Sequence, residues 1–182
     1  MKKTLLLFLA LLILAGCAPW IRTGGKHSAP AQNVSLDLPD GWMRYRTDEY
    51  LFVTRDGGNL QYIMVEAIHV DSQLKHTKKK FHRGMLPLEL SEIIADNMSS
   101  NQAISGLKVV ENKSAKIGGR QGFRAVMNYR NKDGLKIKSV YYGFMKDDWF
   151  YGVSYAAPLR HYFSRDVKTF EKVAASLSLI RK

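Results

Sequence analysis

A single cysteine, Cys17, leaves this chain with no disulfide and with no paired-cysteine redox or zinc motif. It also has no Gly-x-Ser-x-Gly elbow, no phosphate-binding glycine loop and no His-Glu-x-x-His zinc motif. The histidines His27, His69, His76, His82 and His161 are scattered, and only His76 and His82 are near neighbours. Their spacing matches no metal-ligand pattern. The cations Lys75, Lys78, Lys79, Lys80 and Arg83 crowd around them and repel a metal ion. Acids are scarce, 16 against 28 Lys and Arg. No apolar run reaches the roughly 20 residues of a spanning helix, and there is no internal repeat. These absences point away from metal chemistry, a bound cofactor and the familiar enzyme classes.

What is present starts with Met1-Lys2-Lys3 and the apolar run Leu5 to Leu14, which ends in Ala15-Gly16. That layout predicts an export signal over residues 1–16 that is removed from the mature chain. The tetrad Leu14-Ala15-Gly16-Cys17 resembles the lipobox of bacterial lipoproteins. The resemblance implies a diacylglyceryl group on the Cys17 thiol, cleavage just before it, and a mature chain held by acyl chains. Each buried CH2 contributes about 0.8 kcal/mol, so escape into solution is negligible. Ala18, where inner-membrane retention in enteric bacteria shows Asp, implies an outer-membrane anchor facing the periplasm in a host that has one. Residues 17–33 contain Pro19, Gly24-Gly25, Ser28 and Pro30 with few apolar side chains, and are expected to be a flexible tether. Trp20 and Ile21 are its apolar exceptions, and a Trp beside an anchor suits the membrane interface.

Residues 34–182 have the length of one domain with a real core. Loss of Lys2 and Lys3 with the signal leaves 26 bases against the same 16 acids, a charge of about +10. Strands are expected at Val34–Leu38, Met43–Arg46, Tyr50–Arg55 and Leu60–Val70, with Asp56-Gly57-Gly58-Asn59 as a turn. Apolar spacings of three and four predict helices over Leu88–Met98 and Asp166–Leu177. Pro87 suits the first turn of the former, and Ser164 or Asp166 could cap the latter.

Two-residue turns at Asp133-Gly134 and Asp147-Asp148 would set the register of three carboxy-terminal strands. Counting outward pairs Phe123 with Phe144, Ala125 with Tyr142 and Met127 with Val140. It then pairs Phe144 with Tyr151, Tyr142 with Val153 and Val140 with Tyr155. All of these would share one face. Small residues such as Gly143, Gly152 and Ser154 on the other face imply close approach, and so a sheet covered on both sides.

Leu38-Pro39-Asp40-Gly41-Trp42, the stretch Ala115 to Phe123, the aromatic strand Trp149 to Tyr155 and the closing Ala175-Ser176-Leu177 resemble the Mog1/PsbP-type family. The resemblance implies an α+β fold, an antiparallel β-sheet flanked by helices in an α/β/α sandwich. Its members include a Ran-binding protein, an extrinsic photosystem II subunit and several bacterial lipoproteins. No functional motif of theirs maps residue by residue onto this chain.

Of the remaining features, Glu89 and Glu92 suit a helix start and Asp147-Asp148 a turn. The acid-free run Lys75-His76-Thr77-Lys78-Lys79-Lys80-Phe81-His82-Arg83 could meet anionic lipid headgroups, an acidic envelope polymer or an acidic protein face, although a solvated connection is the simpler account. Nucleic acid is not expected at an exported surface. The aromatics Tyr141, Tyr142, Phe144, Trp149, Phe150, Tyr151 and Tyr155 are expected mainly in the core, with a small-molecule pocket between sheet and helix as the alternative. The expected function is a non-catalytic envelope module that binds a protein partner near the membrane. The alternative is a binder of anionic lipid or polymer through Lys75, Lys78, Lys79, Lys80 and Arg83.

Overall fold

Alternating apolar residues in strand-length runs build most of the molecule. The computed structural model describes residues 20–180, so the signal segment, its cleavage point and Cys17 lie outside the described residues. Its strands are β1 (Trp20–Arg22), β2 (Gly25–Ala29), β3 (Val34–Leu38), β4 (Met43–Tyr45), β5 (Leu51–Thr54), β6 (Tyr62–His69), β7 (Ile104–Ile117), β8 (Arg120–Asn131), β9 (Lys136–Lys146), β10 (Trp149–Pro158) and β11 (Ser178–Leu179). Its helices are α1 (Pro87–Ser99) and α2 (Tyr162–Ser176). Eight strands form one sheet in the order β1-β4-β5-β6-β10-β9-β8-β7, and β11-β3-β2 form a second. Every neighbouring pair is antiparallel.

One face of the large sheet packs against α2 and the small sheet. Val126, Val140, Phe144, Tyr151, Val153 and Tyr155 meet Phe163, Phe170, Val173 and Ala174 there, together with Leu36 and Leu38 of β3. The opposite face packs against α1 and the connection that precedes it, where Phe123, Ala125, Met127, Tyr141 and Phe150 meet Leu74, Phe81, Leu90 and Ile94. The small residues do mark close approach, because a Cβ on Gly143 would come within 2.6 Å of the Phe150 ring and 2.7 Å of the Phe123 ring.

The β9–β10 hairpin has the expected register, with Phe144 opposite Tyr151 and Val153 opposite Tyr142. The β8–β9 hairpin does not: Phe123 faces Gly143, Ala125 faces Tyr141 and Met127 faces Ser139. The Asp133-Gly134 loop holds three residues rather than two, because the Asn131 amide donates to the Leu135 carbonyl and the Gly134 amide to the Asn131 carbonyl. Asn131 Oδ1 also accepts from the Asp133 and Leu135 amides. Gly134 at φ 77° supplies the left-handed residue of such a loop. A one-residue slip turns a strand over, so Phe123, Ala125 and Met127 lie on the α1 face rather than with Phe144.

Three other expectations change. From Trp20 onward the expected tether belongs to the fold, as β1 on the large sheet and β2 on the small one. Neither Ser164 nor Asp166 caps α2; the N-cap position is His161, with no side-chain cap, and Asp166 is buried in an ion pair with Arg55. Strand β7 was not anticipated, since register shifts between Ser105 and Lys108 and between Val109 and Glu111 break its alternation. Helix α1 does start at Pro87, and the Leu86 amide donates to Glu89 Oε2 at 2.7 Å, which places the acid at the helix N-terminus as expected.

Candidate binding cavity and the basic loop

Helix α1 covers only part of its face, and a cavity of about 460 Å3 opens between its carboxy-terminal half and the sheet. The walls are Tyr62, Met64, Ile94, Met98, Ile104 and Tyr129. The polar groups of the floor come from three adjacent strands: Glu66 on β6, Ser154 on β10, and Ser139 and Tyr141 on β9. Glu66 pairs with Gly152 across the ladder, and that glycine is required, because a Cβ there would strike the Tyr141 hydroxyl. Through this gap Tyr141 donates a hydrogen bond to Glu66 Oε1. Burial pushes the Glu66 carboxyl above its ordinary range, and the Tyr141 hydrogen bond pulls it partly back. Burial likewise raises the Tyr141 hydroxyl well above the usual phenol.

Ser139 is 3% exposed and its Oγ has no protein partner. A buried hydroxyl left unpaired costs free energy, and Ser139 Oγ is open to a hydrogen bond with whatever occupies the cavity, water included. No base touches Ser139, and the hydrogen-bond partner of Glu66 is a tyrosine. Among the described residues no three His, Cys, Asp or Glu side chains come together as metal ligands.

The basic run crosses the sheet ahead of α1, pinned by two buried side chains, Leu74 and Phe81. Phe81 stacks on Phe150 with centroids 4.2 Å apart. Its cations do not act as one patch. Lys75 and His76 line the cavity, and the His76 amide donates to Asn97 Oδ1 of α1 at 2.9 Å. Lys79 pairs with Asp96 at 2.7 Å, and Arg83 pairs with Asp148 in the β9–β10 turn. Lys78 and Lys80 are exposed and have no ion pair among the described residues. Of the aromatic set, Tyr141, Phe144, Phe150, Tyr151 and Tyr155 are buried, while Trp149 is 41% exposed beside His69.

Sequence reasoning missed Glu66, Ser139, Tyr62 and Tyr129. A signal for Glu66 was present: it is the lone acid in the apolar run Tyr62 to Ile68 and shares the parity of Tyr62 and Met64.

Comparison with known proteins agrees with this architecture. The model of the prokaryotic membrane lipoprotein lipid attachment site matches residues 1–18, the span that includes Cys17. The fold is similar to that of the cyanobacterial PsbP of Synechocystis, with a TM-score of 0.62 at 9% identity, over 91% of this chain and 96% of that one. It is also similar to the Saccharomyces cerevisiae Ran-binding protein Mog1p, with a TM-score of 0.56 at 8% identity, over 88% and 97% of the two chains. The chain carries a prokaryotic lipoprotein lipid attachment site and a domain with the Mog1/PsbP-like fold. A Bacteroides thetaiotaomicron structure matches 88% of this lipoprotein with a TM-score of 0.57 at 15% identity, and the lipoprotein spans only 49% of that chain. No curated protein sequence matches it.

Proposed function

We propose that this lipoprotein is a non-catalytic interaction module of the cell envelope. It is anchored through Cys17 after loss of residues 1–16, in the outer membrane facing the periplasm where the host has one, and it seats a protein partner in the cavity under α1. The observation that carries this reading is the floor of that cavity, with a buried hydroxyl, Ser139, unpaired beside the Glu66–Tyr141 pair. An apolar wall with a few convergent polar groups suits a partner side chain or chain end that both fills space and hydrogen-bonds. The Ran-binding role named for Mog1p is consistent with a fold used for protein contact.

Photocrosslinking in the native host tests it, with a photoreactive residue at Asn97 on the cavity rim or at Lys168 on the exposed side of α2. A single protein adduct at position 97 and none at 168 supports the reading. Equal adducts at both, or none at 97, would sink it.

The basic loop supports a second reading, binding of anionic lipid or polymer, through the unpaired Lys78 and Lys80 with Lys75 at the cavity. Lys79 and Arg83 are already neutralised by acids of the same chain. Such binding weakens steeply with salt, whereas a partner seated in an apolar cavity resists it.

A further inference from the structure

The link between the anchor and the domain is short. Ala18 and Pro19 alone separate Cys17 from Trp20, the first residue of β1. Three residue steps reach at most about 11 Å. An edge strand held that close to an acylated cysteine cannot swing far from the bilayer.

The surface at that edge is aromatic. On the α1 face of the sheet, Trp20 meets Tyr45 with centroids 5.2 Å apart and Phe52 at 6.3 Å. Phe52 in turn meets Tyr50 at 6.2 Å and Tyr62 at 5.1 Å. Helix α1 packs on β7, β8 and β9, at the other end of the same face, and does not reach β1 or β4. Tyr45 is therefore 39% exposed, and Trp20, Tyr50 and Phe52 are partly so. They line an open recess of about 610 Å3 with the Asp56–Leu60 turn. Arg22 and Arg46 are exposed at the same edge and have no ion pair among the described residues.

We infer that the β1–β4–β5 end of this face is a membrane seat, occupied by the bilayer that carries the chain's own acyl groups. Trp20, Tyr45 and Tyr50 lie at the headgroup level, where amphipathic rings are favoured, and Arg22 and Arg46 meet lipid phosphates. Exposed aromatics that would be a liability in free solution are here covered by the surface to which the anchor ties them. Because Tyr50 and Tyr62 also line the cavity, the seat fixes the cavity beside the membrane and limits it to membrane-proximal partners. The inference rests on lipidation at Cys17.

The test uses the mature acylated protein, its acyl groups verified by mass spectrometry, in phosphatidylethanolamine–phosphatidylglycerol vesicles containing brominated lipid, which quenches tryptophan on contact. Trp42 is buried and serves as a constant background. Trp149→Phe leaves Trp20 as reporter, and Trp20→Phe leaves Trp149, which is exposed in the β9–β10 hairpin. A third variant combines Trp20→Phe, Trp149→Phe and Tyr45→Trp, to read a position remote in sequence from the anchor. Quenching several-fold stronger for Trp20 and for the Tyr45→Trp reporter than for Trp149 supports the seat. Quenching of Trp20 alone would mean that only the anchor lies at the membrane, and equal quenching everywhere would mean no fixed orientation; either overturns the seat and leaves lipidation standing. An unacylated Cys17 would overturn both.

Discussion

The two faces of the central sheet use alternate residues of the same strands to opposite ends. On the α2 face the buried aromatics are stacked and complete: Phe170 lies 5.6 Å from the Tyr155 ring, and the Tyr155 hydroxyl donates to the Tyr162 carbonyl at 3.0 Å. Its buried-edge cation, Arg124, is fully engaged, donating to Glu111 at 2.6 Å, Glu171 at 3.0 Å and the Tyr142 hydroxyl at 3.0 Å. On the α1 face the apolar packing reaches Ile68 of β6 but leaves a gap beside the carboxy-terminal half of α1, and polar groups line it: Glu66, Tyr141, Ser139 and Ser154. Both faces therefore hold a fully buried apolar core, the larger one under α2, and the cavity with a polar floor lies on the α1 face.

The largest test of that division is Phe170→Ala. Phe170 is 0% exposed, and loss of such a ring costs about 3–5 kcal/mol. Denaturant unfolding should show this loss, and a cost under about 1 kcal/mol would mean the larger core under α2 contributes little to stability. Arg124→Ala should cost less, about 1–2 kcal/mol, because its partners are partly solvated while its own side chain is only 19% exposed. Pairing Arg124→Ala with Glu171→Gln in a double-mutant cycle would show whether the two losses are coupled, as a shared contact requires.

How much of this was legible in the residues varied with the strength of the local chemistry. Helix periodicity placed both helices to within a few residues, and the Asp147-Asp148 turn placed the β9–β10 register, because a two-residue loop leaves no freedom in counting. The neighbouring hairpin misled because Asp133-Gly134 suits both two- and three-residue loops. Asn131, whose side chain caps the longer loop, decides between them. Residues 20–29 read as a tether because Gly24-Gly25 puts a turn signal at the entry to β2, which is held in place by pairing with β3. The cavity was hidden for a related reason. It is assembled from β6, β9, β10 and α1, and the one-residue register error had moved Phe123, Ala125 and Met127 to the wrong side of the sheet.

A smaller effect separates the two faces by pH. Burial raises the Glu66 carboxyl in the folded state, so the native protein binds that proton more tightly than the unfolded chain does. Its contribution to stability therefore grows as pH falls from neutral through the raised folded value, and levels off near the ordinary carboxylate value of 4.5. Glu111 on the α2 face behaves oppositely. The hydrogen bond from Lys113, opposed by desolvation and reinforced by Arg124, holds its carboxyl low, so that contribution is present at neutral pH and is lost as pH falls through the folded value. Unfolding curves should show wild type gaining on Glu66→Gln between neutral pH and about pH 4.5, and losing relative to Glu111→Gln as the pH is taken further down, below 4.5.

Ser139→Ala gives the smallest effect and the one of unusual sign. Most buried substitutions destabilise, but here the deleted group is a hydroxyl with no protein partner, 3% exposed on the floor of a cavity. Removing an unpaired buried polar atom relieves its desolvation cost, so the variant should be more stable by about 0.5–1 kcal/mol in chemical denaturation. The same variant should lose the adduct formed from position 97, because the partner's hydrogen bond would have no receiver. Stability gained together with binding lost marks a residue kept for its ligand, whereas stability lost would mean that Ser139 already has a partner, a bound water for instance, and belongs to the core.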